Sequence, residues 1–223
     1  LYNLDRALKA SRDHGTVIVT EGYMDVIAVS QAGFENAVAP LGTALTEEQI
    51  SELWKVVREP VVCFDGDNAG LRAQGRAAER ALTILKPGYA LRFATLPSGE
   101  DPDSLIATKG PDALREIIAR SDPLSEVLWK LETGGRSLKT PEQRASVQKA
   151  LEDHTRRIID PTVRGHFLKD FKDRIWLASS RGASKQAPTM SVGAGAAFAA
   201  KVDAHTLHER ILTATPLGHP ELF

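Results

Sequence analysis

The chain has 223 residues, of which 42% are hydrophobic and 26% are charged. This composition is ordinary for a globular protein, and the length allows one or two domains with a sizeable core. The formal net charge is -1, so any contact with nucleic acid would have to depend on a local basic patch. No segment approaches the roughly 18 consecutive apolar residues of a membrane-spanning helix.

Two further features concern the cellular setting of the chain. Cys63 is the single cysteine, which excludes an internal disulfide and fits a reducing compartment. Its position in an apolar run predicts a buried side chain with a packing role. The N-terminal residues are neither a signal peptide nor a start methionine. We therefore expect the chain to be part of a longer protein.

Residues 16–110 alternate short apolar runs with amphipathic segments. The apolar runs predict four strands, at residues 16–20, 36–39, 61–64 and 89–96. The segments between them predict helices at residues 23–32, from about residue 47 and at residues 69–85. Thr46 and Gln49 have the spacing of a capping box at the start of the second of these helices. The alternation predicts an α/β fold with a parallel sheet covered by helices on both faces.

The pattern from residue 111 onward is helical. It predicts helices at residues 113–119, 124–131, 141–159 and 162–177, with prolines placed where three of them begin. We expect a lead-in at residues 1–15, a catalytic α/β domain at 16–110 and a small all-helical subdomain at 111–181. Residues 182–206 are rich in Gly, Ala and Ser and predict a flexible linker. Residues 207–223 resemble the truncated start of a further domain.

Acidic residues follow three of the predicted strands. Glu21 and Asp25 follow the first strand, Asp65 and Asp67 follow the third strand, and Asp101 and Asp103 follow the fourth. Because ligands of open α/β sheets bind at the carboxyl ends of the strands, we expect these three acid clusters to meet at one edge. Carboxylates placed together repel each other unless a cation lies between them, and oxygen ligands suit Mg²⁺. The pattern thus predicts a magnesium site for phosphate chemistry.

Each acid cluster also has an interpretation that needs no metal. Glu21 lies where it favours the dipole of the following helix. The Asp65-Gly66-Asp67 sequence suits a turn, and Asp101 suits a helix N-cap with Pro102 in the first turn. An EF-hand loop is excluded because Ala69 and Arg76 stand where ligands would be required. Ala69 also weakens the alternative of a phosphatase with an aspartate nucleophile.

The order and spacing of four motifs resemble one family. The motifs are Glu21-Gly22-Tyr23-Met24-Asp25-Val26, Leu41-Gly42-Thr43-Ala44-Leu45-Thr46, Asp65-Gly66-Asp67-Asn68-Ala69-Gly70 and Glu100-Asp101-Pro102-Asp103. They resemble the Toprim fold, and in particular the DnaG-type bacterial DNA primases. The resemblance extends over residues 1 to about 180. It implies a Toprim-like parallel sheet flanked by helices.

The resemblance also implies roles for individual residues. Glu21 matches the family's essential glutamate, a metal ligand or general base, and Asp65 and Asp67 match its metal-binding pair. The accessory acids of the family match Asp25, Asp101 and Asp103. Gly42 and Thr43 match a loop near the nucleotide site, although a plain turn also explains them. Two arginines, Arg72 and Arg76, follow Asp67 at helical spacing, and a solvated helix face is the favoured interpretation of both.

The implied activity is synthesis of short RNA primers on a single-stranded DNA template. Ribonucleoside triphosphates are the implied substrates, and Mg²⁺ or Mn²⁺ is the implied cofactor. The family's zinc-binding domain has no counterpart here, because one cysteine cannot form such a site. A replicative helicase is a further implied partner, through the domain that would follow residue 207, and the bacterial cytoplasm is the implied location. No membrane association is expected.

Two other classes of function compete with a primase. Another Toprim enzyme, either a nuclease or a topoisomerase, would share the acidic motifs. A topoisomerase would need a nucleophilic tyrosine, and Tyr2, Tyr23 and Tyr89 are not in a separate domain suited to strand attack. The second alternative is a catalytically silent Toprim module that keeps its acids for folding or for contact with a partner.

Overall fold

The computed structural model describes residues 1–40 and 44–183, with side chains described up to residue 178. Within these ranges the chain forms five strands and nine helices. The strands are β1 (Ile18–Val19), β2 (Ala37–Val38), β3 (Val61–Phe64), β4 (Arg92–Thr95) and β5 (Asp122–Pro123). The helices are α1 (Leu4–His14), α2 (Tyr23–Gln31), α3 (Glu47–Val56), α4 (Asn68–Ile84), α5 (Pro102–Lys109), α6 (Pro111–Ala119), α7 (Leu124–Thr133), α8 (Pro141–Arg156) and α9 (Pro161–Ala183).

The strands form one sheet in the order β2-β1-β3-β4-β5. The first four strands are parallel, as the alternation of strands and helices predicts. The fifth strand pairs with β4 in the antiparallel direction, so the sheet is mixed. The sequence predicts only a helix start at Asp122 and Pro123, since two residues carry no strand periodicity. Their pairing is supported by Arg92, whose Nε donates a hydrogen bond to Ser121 Oγ at 2.9 Å.

Both faces of the sheet are buried. Alternate residues of β3 enter two separate hydrophobic clusters, with Val62 and Phe64 in one and Val61 and Cys63 in the other. The first cluster includes apolar residues of α3, α4 and the later helices, and the second includes those of α2, α5 and α6. Strands buried on both faces lack a polar side, which explains why they read as continuous apolar runs.

The structure contains two helices that the sequence analysis does not predict, α1 and α5. Helix α1 lies in the segment expected to be a lead-in, and it is tied to the sheet by a bridge between Tyr2 and Ala39. Helix α5 begins at Pro102 with Asp101 as its N-cap, where the sequence suggests a helix start without a length. None of the helices in the described ranges is both long and apolar enough to cross a membrane.

Candidate active site

The acids predicted to act together follow strands β1, β3 and β4. Glu21 lies two residues beyond Val19, the last residue of β1, and Asp65 follows β3 directly. Strands β1 and β3 are neighbours, while β2 pairs with the other side of β1. The chain therefore leaves β1 and β3 towards opposite sides, which creates the kind of crevice where α/β sheets bind ligands. Glu21 and Asp65 lie at this crevice.

Three of the other acids hold helix N-termini. Asp67 is the N-cap of α4, and its Oδ1 accepts a hydrogen bond from Gly70 N–H at 2.7 Å. Asp101 Oδ1 accepts from Ser104 N–H at 2.7 Å as the N-cap of α5. Such caps contribute about 0.5–2 kcal/mol to stability. The N-cap interpretation of Asp101 is therefore confirmed, and each cap uses only one of the two carboxylate oxygens.

Asp25 has a similar position in the first turn of α2. Its Oδ2 accepts a hydrogen bond from Gly22 N–H at 3.0 Å. Asp103 lies in the first turn of α5 and is exposed. Helices α2, α4 and α5 are the next elements after β1, β3 and β4, so their partially positive N-termini face the same acidic region.

Two glycines allow the chain to pack tightly around Asp65. A Cβ atom on Gly66 would lie 2.0 Å from the carbonyl oxygen of Pro97, and one on Gly70 would lie 2.1 Å from the carbonyl oxygen of Asp65. Gly66 N–H also donates to the carbonyl oxygen of Glu100 at 2.8 Å. The glycine spacing of the motif therefore serves close backbone approach, which joins the loop after β3 to the loop after β4.

Glu21 and Asp65 differ from the capping acids. Each has one buried side-chain oxygen, Glu21 Oε1 and Asp65 Oδ1, that has no hydrogen-bond partner among the described residues. A buried polar atom without a partner costs free energy, so most such atoms in native proteins are satisfied. A bound cation would satisfy both oxygens.

Electrostatic repulsion at this edge is strongest at Asp65. Burial is the largest cause that raises the pKa of this carboxyl, and the charges of Glu21, Asp25, Asp101 and Asp67 add to it in that order; together they raise the pKa to about 6. Four other acids therefore lie within electrostatic reach of Asp65. A divalent cation would reverse this balance by favouring the charged form of each carboxylate.

The neighbouring carboxyls are perturbed in the same direction. Burial raises the pKa of Glu21, with smaller contributions from Asp67 and Asp25, whereas a hydrogen bond from the backbone N–H of Asp65 and the charge of Arg76 lower it.

Asp25 connects the region to the third cluster of acids. Burial raises its pKa first, Asp101 and Asp103 add to the shift, and the hydrogen bond from Gly22 N–H opposes it. Asp25 thus lies within reach of the acids at the start of α5. All six predicted acids consequently belong to one electrostatically coupled region.

The residues nevertheless do not form a complete metal cage as they stand. Within the described ranges, no three His, Cys, Asp or Glu side chains converge closely enough to hold a metal ion. Three of the acids, Asp25, Asp67 and Asp101, each direct one oxygen at a backbone N–H. The donor set is still entirely carboxylate, and two oxygens lack partners, so the chemistry of the site fits a hard divalent ion.

A cavity of about 280 Å³ lies beside Glu21. Arg76 and Ala73 of α4 and Phe64 of β3 line it together with Glu21 and Pro40. Arg76 therefore lies beside the acidic region. The prediction that it belongs to a solvated helix face did not anticipate this position. Helical spacing alone could not reveal the position of Arg76 next to Glu21, because the sheet sets the direction of α4 relative to β1. Gly42 and Thr43, predicted to bind nucleotide, lie outside the described residues.

Cys63 has no part in the chemistry of the site. It is fully buried in β3, which confirms its predicted packing role. Burial, with smaller contributions from the charges of Asp25 and Asp65, raises the pKa of its thiol to about 12. The thiolate needed for nucleophilic attack or metal binding is therefore suppressed.

Comparison with known proteins is consistent with this arrangement. Residues 15–94 match the family model of the Toprim domain. The chain is 39% identical over 176 residues to the DNA primase of Rickettsia typhi, a match that covers 79% of this chain and 30% of that protein. The chain thus spans less than a third of the length of the primases it matches.

Two solved structures share the fold. A DNA primase domain from Pseudomonas aeruginosa superposes with a TM-score of 0.72 at 38% identity, covering 81% of this chain and 55% of that one. A DnaG primase catalytic domain bound to single-stranded DNA superposes with a TM-score of 0.69 at 34% identity, covering 77% of this chain and 56% of that one.

Proposed function

Because the chain belongs to the bacterial DnaG-type primases, we propose that it supplies the metal-binding part of a replicative primase. The proposed enzyme is a DNA-directed RNA polymerase that makes short RNA primers by metal-dependent nucleotidyl transfer. One observation carries the assignment of the site to this chain. Glu21 Oε1 and Asp65 Oδ1 are buried and have no hydrogen-bond partner among the described residues, at the carboxyl edge of the sheet where phosphate chemistry would take place.

Three acids would hold the cofactor, which is Mg²⁺ or Mn²⁺. Glu21, Asp65 and Asp67 would be the ligands, and Asp25, Asp101 and Asp103 would surround them as further ligands or supporting charges. When bound, the metal would supply Lewis-acid stabilisation for the attacking hydroxyl and the departing pyrophosphate. Gly42 and Thr43 are proposed to contact the nucleotide.

The remaining residues of the site would keep the acids in position. Gly66 and Gly70 fix the backbone on both sides of Asp67, and the cap of α4 fixes the Asp67 carboxylate through the 2.7 Å bond from Gly70 N–H. The α5 cap fixes Asp101 in the same way. Such preorganisation matters because phosphoryl transfer depends on positioning and electrostatics more than on covalent chemistry of the protein.

The partners follow from the same proposal. Single-stranded DNA would serve as template and ribonucleoside triphosphates as substrates, with a replicative helicase as protein partner in the bacterial cytoplasm. Support for the DNA partner comes from the similar DnaG domain whose structure contains single-stranded DNA.

A catalytically silent Toprim module is the second candidate. The observation that favours it is the lack of three converging metal-binding side chains within the described part of the chain. In such a module the capping acids would serve folding alone. Glu21 and Asp65 would then need another donor for their buried oxygens.

A crystal of the 223-residue chain soaked with Mn²⁺ and a ribonucleoside triphosphate tests the proposal. We expect anomalous scattering from manganese between Glu21, Asp65 and Asp67, with triphosphate oxygens on the metal. The variant Asp67→Asn is the matched control and should lose the peak. Absence of manganese from well-ordered wild-type crystals would contradict the proposed site and favour the silent module.

A further inference from the structure

Arg76 of α4 lines the same cavity as Glu21 of the acidic region. The cavity has a volume of about 280 Å³, and its lining includes Glu21, Phe64, Ala73 and Arg76. This volume is slightly below the range of about 300–1,000 Å³ that is typical of pockets for whole small-molecule ligands. The space therefore suits one part of a ligand whose remainder lies outside it.

The arginines of α4 differ in what they contact. Arg80 donates hydrogen bonds to the carbonyl oxygens of Ala44 at 3.1 Å and Leu45 at 2.7 Å. It thereby holds in place two residues that line the cavity. Arg76 is one helical turn closer to Asp67, and its guanidinium has no hydrogen bond or ion pair within the described part of the chain. Its donors are thus available to a ligand.

The surroundings of Arg76 point to an anion that arrives with a metal. An anion on its own would be repelled by Glu21 and the other acids of the region. A nucleoside triphosphate carries a divalent ion for the acids and leaves phosphate oxygens for a guanidinium, which binds them with a planar set of donors. Arg76 lies close enough to influence Glu21 electrostatically, so one ligand can reach both groups.

We propose that Arg76 binds the phosphate groups of a metal-bound nucleoside triphosphate in the cavity beside Glu21. This inference rests on the proposed function, since it requires the acids to hold the metal. The competing explanation is that Arg76 only offsets the charge of Glu21. The two explanations predict different changes in affinity. If Arg76 binds phosphate, its removal weakens the binding of a metal-bound triphosphate. If Arg76 only offsets charge, its removal changes the affinity for the metal in the absence of nucleotide.

Calorimetric titration of the 223-residue chain separates these explanations. ATP is titrated in the presence of saturating Mn²⁺, and Mn²⁺ alone and adenosine are titrated separately. For Arg76→Ala we expect the dissociation constant of ATP to rise about ten- to a hundredfold, as loss of a charge-assisted hydrogen bond implies. Arg76→Lys should recover part of the affinity, since it restores the charge without the planar donor set.

Arg72→Ala is the matched control. Arg72 lies on the same helix one turn before Arg76, is also exposed and carries the same charge. This variant should bind ATP with wild-type affinity. The unfolding transition of each variant is measured to establish that its fold is intact. We expect both variants to fold, because both arginine side chains are exposed.

The outcomes distinguish the two proposals. If Arg76→Ala binds ATP as tightly as Arg72→Ala does, the phosphate role of Arg76 is wrong while the primase proposal stands. Tighter binding of Mn²⁺ alone, with unchanged ATP affinity, would assign Arg76 to charge balance. Failure of the wild-type chain to bind either Mn²⁺ or ATP would overturn both proposals together.

Discussion

The acids of the helical region and those of the sheet edge are in opposite situations. In the helical region Glu126 forms an ion pair with Arg174 at 2.6 Å, and Glu132 pairs with Arg136 at 3.0 Å and with His154 at 2.8 Å. At the sheet edge, none of the six predicted site acids takes part in a salt bridge within the described ranges. Burial first, and then the charges of neighbouring acids, raise the pKa values of Glu21, Asp25 and Asp65.

The difference shows which acids stabilise the fold and which weaken it. A paired acid in the helical region contributes modestly to stability. An unpaired acid at the edge opposes folding, because burial and repulsion both disfavour its charged form. The buried clusters on both faces of the sheet offset this cost. A set of acids that a fold holds at a net cost is the expected mark of a functional site.

The largest expected effect concerns metal binding at the edge. Mg²⁺ or Mn²⁺ at about 100 times its dissociation constant should stabilise the protein by about 2.7 kcal/mol, which raises the melting temperature by about 5–10 °C. Asp65→Asn should reduce this gain. Thermal melts over millimolar metal measure the effect, and Glu126→Gln, which removes a paired acid, is the control that should retain the full gain. Identical melting curves with and without metal would count against the site.

The next effect concerns the glycines that allow the backbone to pack closely around Asp65. Gly70→Ala should destabilise the protein by about 1–3 kcal/mol, because its Cβ would collide with the carbonyl oxygen of Asp65, 2.1 Å away. Gly75→Ala on the same helix is the control, since its nearest contact would be Leu131 Cδ1 at 3.9 Å. That variant should be unchanged or more stable, as alanine favours helix over glycine. Equal urea midpoints for both variants would refute the close-approach argument.

A smaller effect is expected from charge at Asp65 without metal. The folded-state pKa of about 6 lies above the ordinary value of 3.8, so the folded protein binds more protons than the unfolded chain between these values. The protonated Asp65 carboxyl therefore makes its full contribution to stability below about pH 4, and this contribution is lost as the pH rises through about 6. After allowance for solvent screening, Asp65→Asn should stabilise the metal-free protein by about 1 kcal/mol near pH 7.5.

Urea denaturation with a chelator present measures this effect across the pH range. The difference in the free energy of unfolding between Asp65→Asn and the wild type should shrink as the pH falls and vanish at about pH 4. A constant difference between the two proteins at every pH would mean that the amide acts through packing or hydrogen bonding instead of charge.

The smallest effect belongs to the helical region. Glu126→Gln should lower the free energy of unfolding by about 0.5–1 kcal/mol, because it removes the charge partner of Arg174. The loss should diminish at high salt, since ions screen a partly exposed pair. Urea denaturation at low and high salt checks this. A gain in stability, as expected for Asp65→Asn, would remove the contrast between the two regions.

Local chemistry made several features predictable from the sequence. The apolar run at residues 61–64 is β3, with bounds that agree with the prediction. Thr46 and Gln49 form the capping box that their spacing indicates, with Gln49 N–H donating to Thr46 Oγ1 at 3.3 Å. Acids were correctly located after three strands. In each case the interaction spans only a few residues, so the sequence pattern contains it.

Features that depend on distant residues were not predictable. Strand β5 exists because Asp122 and Pro123 meet the edge of β4, and a two-residue strand has no pattern of its own. Helix α1 was assigned to a lead-in, although its bridge to Ala39 anchors it to the sheet. The approach of Gly66 to the carbonyl oxygen of Pro97 joins two loops about thirty residues apart, so only the glycine itself was visible.

The sequence by itself determined that this protein has a mostly parallel α/β sheet with acids at the carboxyl ends of three strands, because apolar runs and helix caps are local. The tertiary structure decided which of those acids retain a buried oxygen that has no hydrogen-bond partner among the described residues. It also placed Arg76 and Glu21 beside the same cavity. Strand order and helix orientation set these relations, and both arise from long-range burial of apolar surface, which no short segment encodes.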